Sequence, residues 1–306
     1  MKILIIVLIL IKYANAGDPT PIVLWHGMGN RIFCPVGDTC CVVYSVGGYK
    51  YLLEKAIPGV YVMSIKVGST TFEDLYNSYF MDPNEQIKNA CKTIEEDPKL
   101  KNGFNAIGFS QGGQFLRALI QRCGHKMGRV KNLITLGSQH QGVYGSPHCG
   151  ALVVKSCTYI RELIDKAPYA PWVQRDLVLA TYWHEPLHEQ EYKNNSIFLS
   201  DINNELSINQ TYNDNLNKLD HFVMVMFNND TVTQPRESSW FGFYKPGQDQ
   251  VLQTLQESDL YKEDRIGLKK MDEAGKLVFL STPGDHLRVS KKWFIENIVK
   301  VYLSPQ

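Results

Sequence analysis

The chain alternates between short apolar runs and longer stretches in which apolar residues recur with helical spacing. Apolar runs closed by glycine, proline or a polar residue are typical of buried β-strands. We expect strands at residues 21–25, 60–67, 104–107, 133–136, 222–227 and 276–282, and helices at 84–95, 111–123 and 293–301. Strands that alternate with helices predict an α/β fold, with a mostly parallel sheet covered by helices on both faces.

Residues from about 146 to 218 interrupt this alternation. Positions 173, 177 and 180 form one apolar row with helical spacing, and positions 172, 179 and 183 form another. A helix that is apolar around so much of its circumference has two apolar contacts or is simply well buried. We therefore expect a helical insertion, or cap, that contacts both the core and a groove, and the fully buried alternative remains open.

The N-terminal residues have the pattern of a secretory signal peptide. Met1 and Lys2 precede an apolar run at residues 3–11, which is followed by Ala14-Asn-Ala16. A charged start, a short apolar core and an Ala-x-Ala site predict cleavage after residue 16. Because no other stretch approaches the length of a membrane span, residues 17–306 are expected to form one domain in the secretory pathway, without a stable membrane anchor.

Charge excludes one class of partner. The sequence has 32 Lys and Arg against 31 Asp and Glu, a net charge of +1. It contains no block of basic residues that would attract a phosphate backbone, so we do not expect nucleic acid as a partner.

The seven cysteines favour disulfides, because the secretory pathway is oxidising. Cys91 and Cys123 lie on two helical patterns, so a bond between them would join neighbouring helices. Cys149 and Cys157 could close a short loop. Adjacent cysteines form a strained ring when bonded, which makes separate partners the physical default for the pair at positions 40 and 41. Cys34 makes the count odd.

Three sequons are present, at Asn194, Asn209 and Asn229. In a secreted chain such motifs predict exposed, glycosylated asparagines.

The sequence 108–112, Gly-Phe-Ser-Gln-Gly, places a serine between the strand at 104–107 and the helix at 111–123. A nucleophilic serine at a tight strand-to-helix turn requires glycines beside it, because the helix passes close to the sheet. The unpaired amides at the start of the helix face the position of a developing oxyanion. Ser110 is therefore the candidate nucleophile, whereas the alternative is a glycine-rich turn with an idle serine.

A second glycine-containing loop, residues 26–30, follows the first predicted strand. In hydrolases with this arrangement such a loop supplies the second oxyanion donor. We expect the backbone amides of Met28 and Gln111 to be the two donors. His26 precedes the glycines, so its expected role is to orient the loop rather than to act as a base.

A candidate acid and base follow two later strands. Asp230 comes after the strand at 222–227, and His286 after the strand at 276–282. Active-site residues of open α/β sheets lie beyond the carboxyl ends of the strands. The order Ser110, Asp230, His286 is that of the α/β-hydrolase triad, which makes this fold the expected architecture. Asp285 is a weaker alternative acid, because it adjoins His286 on a turn.

Residues 184–188, His-Glu-Pro-Leu-His, match the zinc-protease pattern. That pattern works only on a helix, where histidines four residues apart share one face. Pro186 removes a helical hydrogen bond and disfavours helical angles at Glu185. We expect the end of a helix here and no metal site.

Longer motifs resemble palmitoyl-protein thioesterases, lysosomal enzymes that remove fatty acyl groups from S-acylated cysteines. The matching segments are Trp-His-Gly-Met-Gly at 25–29, Asn-Ala-Ile-Gly-Phe-Ser-Gln-Gly-Gly-Gln-Phe-Leu-Arg at 105–117, Gly-Ser-Gln-His-Gln-Gly-Val at 137–143, Tyr-Trp-His at 182–184, Trp-Phe-Gly-Phe-Tyr at 240–244 and Gly-Asp-His-Leu at 284–287. The resemblance covers essentially the whole mature chain.

The resemblance implies specific roles for individual residues of this chain. It implies that Ser110, Asp230 and His286 form the catalytic triad and that Met28 and Gln111 are the oxyanion donors. It also implies disulfides Cys91–Cys123 and Cys149–Cys157, a vicinal Cys40–Cys41 bond in place of the physical default, and glycans on Asn194, Asn209 and Asn229. The segment 29–51 departs from the family pattern and holds the additional Cys34.

The function implied is hydrolysis of palmitoyl and other long-chain acyl thioesters on proteins or peptides, without a cofactor, in the lysosome or outside the cell. Three alternatives remain open. They are a lysosomal acyl-CoA thioesterase, a lipid esterase, and a non-catalytic lipid-binding protein, the last disfavoured by the intact triad.

Overall fold

The structure is a computed structural model that describes residues 18–29, 45–145 and 154–304, with only the backbone described at 154–159. Its central feature is a six-stranded sheet in the order β2-β1-β3-β4-β5-β8, in which every neighbouring pair is parallel. The strands are β1 (Ile22–Trp25), β2 (Val62–Ser64), β3 (Phe104–Phe109), β4 (Val130–Leu136), β5 (His221–Phe227) and β8 (Leu277–Thr282). A separate antiparallel hairpin consists of β6 (Phe243–Tyr244) and β7 (Leu252–Gln253).

Helices connect the strands. Those before β4 are α1 (Val46–Ala56), α2 (Thr71–Phe80), α3 (Pro83–Glu96) and α4 (Gln111–Cys123). Among the residues described between β4 and β5 there are six helices: α5 (Val154–Lys166), α6 (Pro171–Asp176), α7 (Val178–Thr181), α8 (Glu189–Asn195), α9 (Leu199–Ile202) and α10 (Gln210–Asn217). The remaining helices are α11 (Asp259–Lys262), α12 (Leu268–Glu273) and α13 (Lys291–Phe294), which continues as a π-helix over Ile295–Leu303.

Both faces of the sheet are buried, as the apolar runs predict. In β1, Val23 and Trp25 belong to the core cluster on one face, whereas Ile22 and Leu24 belong to the cluster on the other. Successive side chains of a strand point to opposite faces, so a strand covered on both sides is apolar throughout. The predicted parallel α/β architecture is confirmed.

One predicted helix is interrupted. The apolar rows at 172–183 suggest a single helical stretch, but Leu177 is extended and separates α6 from α7. The Gln174 amide stabilises the bend, since its Nε2 donates to the carbonyls of Pro168 (2.8 Å) and Ala180 (2.6 Å). Among the described residues, no helix has both the length and the apolar character needed to cross a bilayer.

Candidate active site

Ser110 occupies the turn between β3 and α4 in a conformation that side chains rarely adopt, with φ 52° and ψ −125°. Such strain persists only where the surroundings impose it, and it is common at active sites. The predicted need for glycines is confirmed, because a Cβ on Gly108 would lie 2.2 Å from the Cα of Gly113. A Cβ on Gly112 would lie 2.3 Å from the carbonyl oxygen of Trp25 in β1.

A hydrogen-bonded acid–base pair stands at the neighbouring strand ends. His286 Nδ1 lies 2.7 Å from Asp230 Oδ2, and the Asp230 side chain has no exposed surface. The other carboxylate oxygen, Oδ1, accepts hydrogen bonds from the amides of Val232 (2.9 Å) and Thr233 (2.8 Å). The carboxylate therefore fixes the imidazole and its own loop at the same time.

Asp285, the weaker candidate acid, contacts the backbone and not the imidazole. Its Oδ1 accepts hydrogen bonds from the amides of His286 (2.7 Å) and Thr231 (3.0 Å) and from the Thr231 hydroxyl (2.8 Å). Burial acts to raise the pKa of Asp285, but these hydrogen bonds outweigh it and the pKa is lowered. Asp285 thus ties the loop after β8 to the loop after β5.

The end of β4 brings the serine and the histidine together. The Ser110 amide donates to the Leu136 carbonyl (2.8 Å), and the next residue, Gly137, lies against the imidazole. A Cβ on Gly137 would lie 3.1 Å from His286 Cε1 and 3.2 Å from Nδ1. Ser110 is partly buried, and its hydroxyl makes no hydrogen bond with any other described residue. The predicted nucleophile and the imidazole thus lie at the same edge of the sheet, on either side of the end of β4.

The predicted oxyanion donors flank the serine. A Cβ on Gly27, the residue before Met28, would lie 3.0 Å from Ser110 Cβ and 3.6 Å from its Oγ. Gln111 is the first residue of α4. Within the described part of the chain, neither the Met28 amide nor the Gln111 amide has a hydrogen-bond acceptor. No described residue therefore competes with a ligand for either of these predicted donors.

His26 is buried under this loop, where its contacts are structural, as expected. Its Nδ1 lies 2.8 Å from the Gly27 carbonyl oxygen, and its Nε2 lies 3.0 Å from Asp74 Oδ2. Both partners are acceptors, so the ring donates from both nitrogens as an imidazolium. Burial lowers the pKa of His26, but the hydrogen bond and charge of Asp74 outweigh it and the pKa is raised. Burial likewise opposes ionisation of Asp74, whose pKa is nevertheless lowered by His26.

The role of Asp74 does not follow from the predicted elements, because helix α2 is not among them. One local pattern could have revealed this helix. Thr70 and Glu73 form a capping box, in which each side chain accepts a hydrogen bond from the other residue's amide. This Thr-x-x-Glu pattern marks the start of a helix in sequence.

The segment 184–188 is not helical and lies between α7 and α8. His184 is buried between the rings of Tyr192 and Phe243, with Nε2 2.9 Å from Glu189 Oε2 and Nδ1 2.7 Å from the Gln141 carbonyl oxygen. These contacts occupy both ring nitrogens of His184. Among the described residues, no group of three His, Cys, Asp or Glu side chains could hold a metal ion.

One of the expected disulfides lies within the described residues. Cys91 of α3 and Cys123 of α4 are bonded, with their Cα atoms 6.1 Å apart. The other expected pairings, Cys40–Cys41 and Cys149–Cys157, and the additional Cys34 fall outside the described side chains. Asn194, Asn209 and Asn229 are all exposed, as N-glycosylation requires.

The parallel sheet and the serine turn, with acidic and basic residues at later strand ends, define an α/β-hydrolase. A family model described as palmitoyl protein thioesterase matches residues 21–286. Palmitoyl-protein thioesterase 1 of Caenorhabditis elegans is 47% identical over 292 residues, which cover 95% of this chain and 94% of that protein. Palmitoyl-protein thioesterase 3 of Dictyostelium discoideum is 34% identical, covering 94% and 92%. The chain belongs to the palmitoyl-protein thioesterase family, as its motifs suggest.

Two further similarities are more distant. The human protein named lysosomal thioesterase PPT2 is 33% identical over 182 residues, which cover 59% of this chain and 58% of that protein. Among solved structures, the lipase BlEst2 of Bacillus licheniformis gives a TM-score of 0.45 at 14% identity, covering 94% of this chain and 93% of that chain.

Proposed function

We propose that this protein hydrolyses the thioester between a long-chain fatty acyl group, such as palmitoyl, and a cysteine of a protein or peptide. The main support is the Asp230–His286 pair, in which His286 Nδ1 lies 2.7 Å from Asp230 Oδ2. The imidazole packs on Gly137, beside the strained Ser110. Membership of the palmitoyl-protein thioesterase family supports a thioester as the bond that is cleaved.

In the proposed reaction, Ser110 Oγ attacks the thioester carbonyl carbon while His286 Nε2 takes the hydroxyl proton. Asp230 holds the imidazole by Nδ1 and stabilises the imidazolium. The amides of Met28 and Gln111 donate to the carbonyl oxygen as it becomes an oxyanion. Collapse of the intermediate breaks the C–S bond, and the imidazolium protonates the cysteine thiolate as it leaves.

The acyl-enzyme is then hydrolysed by the same groups. His286 takes a proton from water, whose oxygen attacks the acyl carbon, and returns the proton to Ser110 as the fatty acid leaves. Thiolates are good leaving groups because a free cysteine thiol has a pKa of about 8.5. The triad itself does not distinguish thioesters from oxygen esters, so the acyl chain and the cysteine-bearing partner must be recognised elsewhere.

We propose that the predicted cap, residues 146–218, contributes to the acyl site. Burial of an acyl chain is worth about 0.8 kcal/mol per methylene, so roughly fourteen methylenes supply up to about 11 kcal/mol before the costs of binding. The Tyr182 side chain supports this placement, because it extends from the cap to Met28 Sδ, 3.9 Å from its hydroxyl oxygen.

We also propose delivery through the secretory pathway to the lysosome. The Cys91–Cys123 disulfide and the exposed sequon asparagines suit an oxidising compartment that adds glycans. A relative carries the name lysosomal thioesterase, which favours the lysosome over secretion.

The test compares wild type with Ser110→Ala and a control, Ser200→Ala, whose buried hydroxyl donates to the Ser196 carbonyl in the cap. Wild type and the control should cleave an S-palmitoyl peptide and react with a fluorophosphonate probe, whereas Ser110→Ala should do neither. Palmitoyl-CoA and an oxygen ester of palmitate are measured in parallel. Faster cleavage of either would redirect the proposal to an acyl-CoA thioesterase or a lipid esterase. Failure of wild type to react with the probe would indicate a non-catalytic lipid-binding protein.

A further inference from the structure

We propose that Ser78 and Tyr182, which are not hydrogen-bonded to Ser110 or His286, are positioning residues that fix the two oxyanion amides relative to each other. The inference rests on the proposed function, in which the amides of Met28 and Gln111 stabilise the oxyanion. A donor contributes only when it lies within hydrogen-bond distance of the oxyanion, and displacement of about 1 Å can cost roughly 100-fold in rate.

The loop carrying Met28 needs external support. Met28 lies between Gly27 and Gly29, and glycines give a backbone little stiffness of its own. Helix α2 holds the loop on both sides of Met28. Asp74 binds the His26 ring at 3.0 Å, and the Ser78 hydroxyl accepts a hydrogen bond from the Gly29 amide at 3.1 Å. Residues 74 and 78 are four apart, so they share one face of the helix.

Ser78 also contacts the residue that carries the other donor. The Gln111 side chain donates through Nε2 to the Ser78 carbonyl oxygen at 3.1 Å. The Ser78 hydroxyl in turn donates to the Leu75 carbonyl at 2.7 Å, which orients its lone pairs toward Gly29. Ser78 therefore joins the Met28 loop to the first residue of α4.

Tyr182 completes the connection from the cap side. Its hydroxyl lies 3.1 Å from Gln111 Oε1 and 3.9 Å from Met28 Sδ. Because the Gln111 Nε2 faces a carbonyl, the Oε1 faces the tyrosine and accepts a hydrogen bond from its hydroxyl. Tyr182 is buried, so the loss of its hydroxyl would leave the Gln111 Oε1 without this donor.

Helix α2 is itself well anchored. Asp74 Oδ1 accepts a hydrogen bond from the Val67 amide at 2.7 Å, and Asn77 Nδ2 donates to the Val67 carbonyl at 2.7 Å. Gln86 Nε2 donates to the Asn77 carbonyl at 2.9 Å. A helix tied to both the preceding loop and α3 can serve as a fixed reference for the two donors.

The experiment measures kcat and KM for Ser78→Ala, Tyr182→Phe and Gln111→Met. Each variant removes a link of this network without removing an oxyanion amide. We expect kcat to fall about 10-fold with KM within about 2-fold, less than the 10²–10³-fold loss typical when a donor is removed outright. Because the Tyr182 hydrogen bond ends on the Gln111 side chain, which Gln111→Met already removes, the double variant should be little worse than Gln111→Met alone.

A second readout separates positioning from simple loss of folded enzyme. Sulfur is a poor hydrogen-bond acceptor, so hydrolysis of a thionoester depends less on the oxyanion donors than hydrolysis of the matching oxygen ester. The ratio of kcat/KM for the carbonyl ester to kcat/KM for the thionoester should be about 10-fold smaller in the three variants than in wild type. Two controls, Ser200→Ala and Tyr212→Phe, remove a buried and a partly buried hydroxyl, which donate to Ser196 and Asp201, and they should leave this ratio unchanged.

The positioning role would be overturned if kcat fell equally for the carbonyl ester and the thionoester, or if only KM changed. Because the ester pair does not contain a cysteine thioester, this result is separate from that of the proposed function. Wild type that cleaves the ester pair but not an S-palmitoyl peptide would contradict only the thioester specificity. Wild type that cleaves neither would contradict both.

Discussion

The replacement Asp230→Asn tests the acid–base pair without removing a side chain. Asp230 Oδ1 is held by the amides of Val232 and Thr233, so an asparagine must keep its own oxygen at that place. The reverse orientation would turn the asparagine NH₂ toward the amides of Val232 and Thr233, which are themselves donors. Both hydrogen bonds would then be lost, at a cost of about 1–3 kcal/mol of stability each. The amide nitrogen of the asparagine therefore faces His286.

That orientation reverses the tautomer of the imidazole. Nδ1 must then accept a hydrogen bond, so the ring proton moves to Nε2, which can no longer take the proton of Ser110. The same exchange in another serine hydrolase costs about 10⁴ in kcat. We expect a fall of 10³–10⁴, equivalent to about 4–5.5 kcal/mol of transition-state stabilisation. KM should change little, because the carboxylate has no exposed surface.

Asp285→Asn is the matched control, measured by initial rates on an S-palmitoyl peptide and by thermal unfolding. All three hydrogen bonds of Asp285 reach Oδ1, an oxygen that asparagine retains, so we expect a loss of less than about tenfold. If Asp285→Asn lost a thousandfold while Asp230→Asn kept most of its activity, the acid would be Asp285. Near-normal kcat in both would refute the tautomer argument altogether.

Three further predictions concern stability. The raised pKa of His26 gives stability that is lost as pH rises above about 6.5, and the lowered pKa of Asp74 gives stability that is lost as pH falls below about 3.9. Asp74→Asn should therefore lower the melting temperature more at pH 5 than at pH 9. An equal drop in melting temperature at the two pH values would contradict the ion pair. Replacing both Cys91 and Cys123 by serine should lower the free energy of unfolding in denaturant by about 4 kcal/mol, because the bond spans a sequence separation of 32 residues; a loss under about 1 kcal/mol would show that the bond constrains little. Gly112→Ala should cost at least about 3 kcal/mol by the same measurement, because its Cβ would lie 2.3 Å from a β1 carbonyl oxygen; a tolerated alanine would mean that α4 can move away.

Much of the fold follows from local patterns. Apolar runs such as 222–227 mark strands buried on both faces, and the parallel arrangement brings their carboxyl ends to one edge. That rule alone places Ser110, Asp230 and His286 on the same side of the sheet. The preference for Asp230 over Asp285 as the partner of His286 needed only the argument that adjacent residues on a turn cannot pair well.

The supporting contacts could not be predicted in this way. Asp74 and His26 are 48 positions apart, and Tyr182 reaches Gln111 across 71 positions. No periodic pattern in the sequence indicates either contact, because each depends on how a helix or a cap segment packs in three dimensions. Helix α2 has an apolar row at positions 72, 76 and 80, but these aromatic side chains are exposed, whereas the buried residues that contact the Met28 loop, Asp74 and Ser78, are polar. Apolar periodicity therefore does not mark the face that this helix buries.

The arrangement of strands also has a consequence during biosynthesis. The proposed nucleophile follows β3, whereas the proposed base follows β8, which among the described strands pairs with β5 alone, at one edge of the sheet. A nascent chain that has formed β1 to β5 would hold the serine turn but not yet the imidazole that the proposed mechanism requires. We therefore expect activity to appear only after β8 has paired with β5.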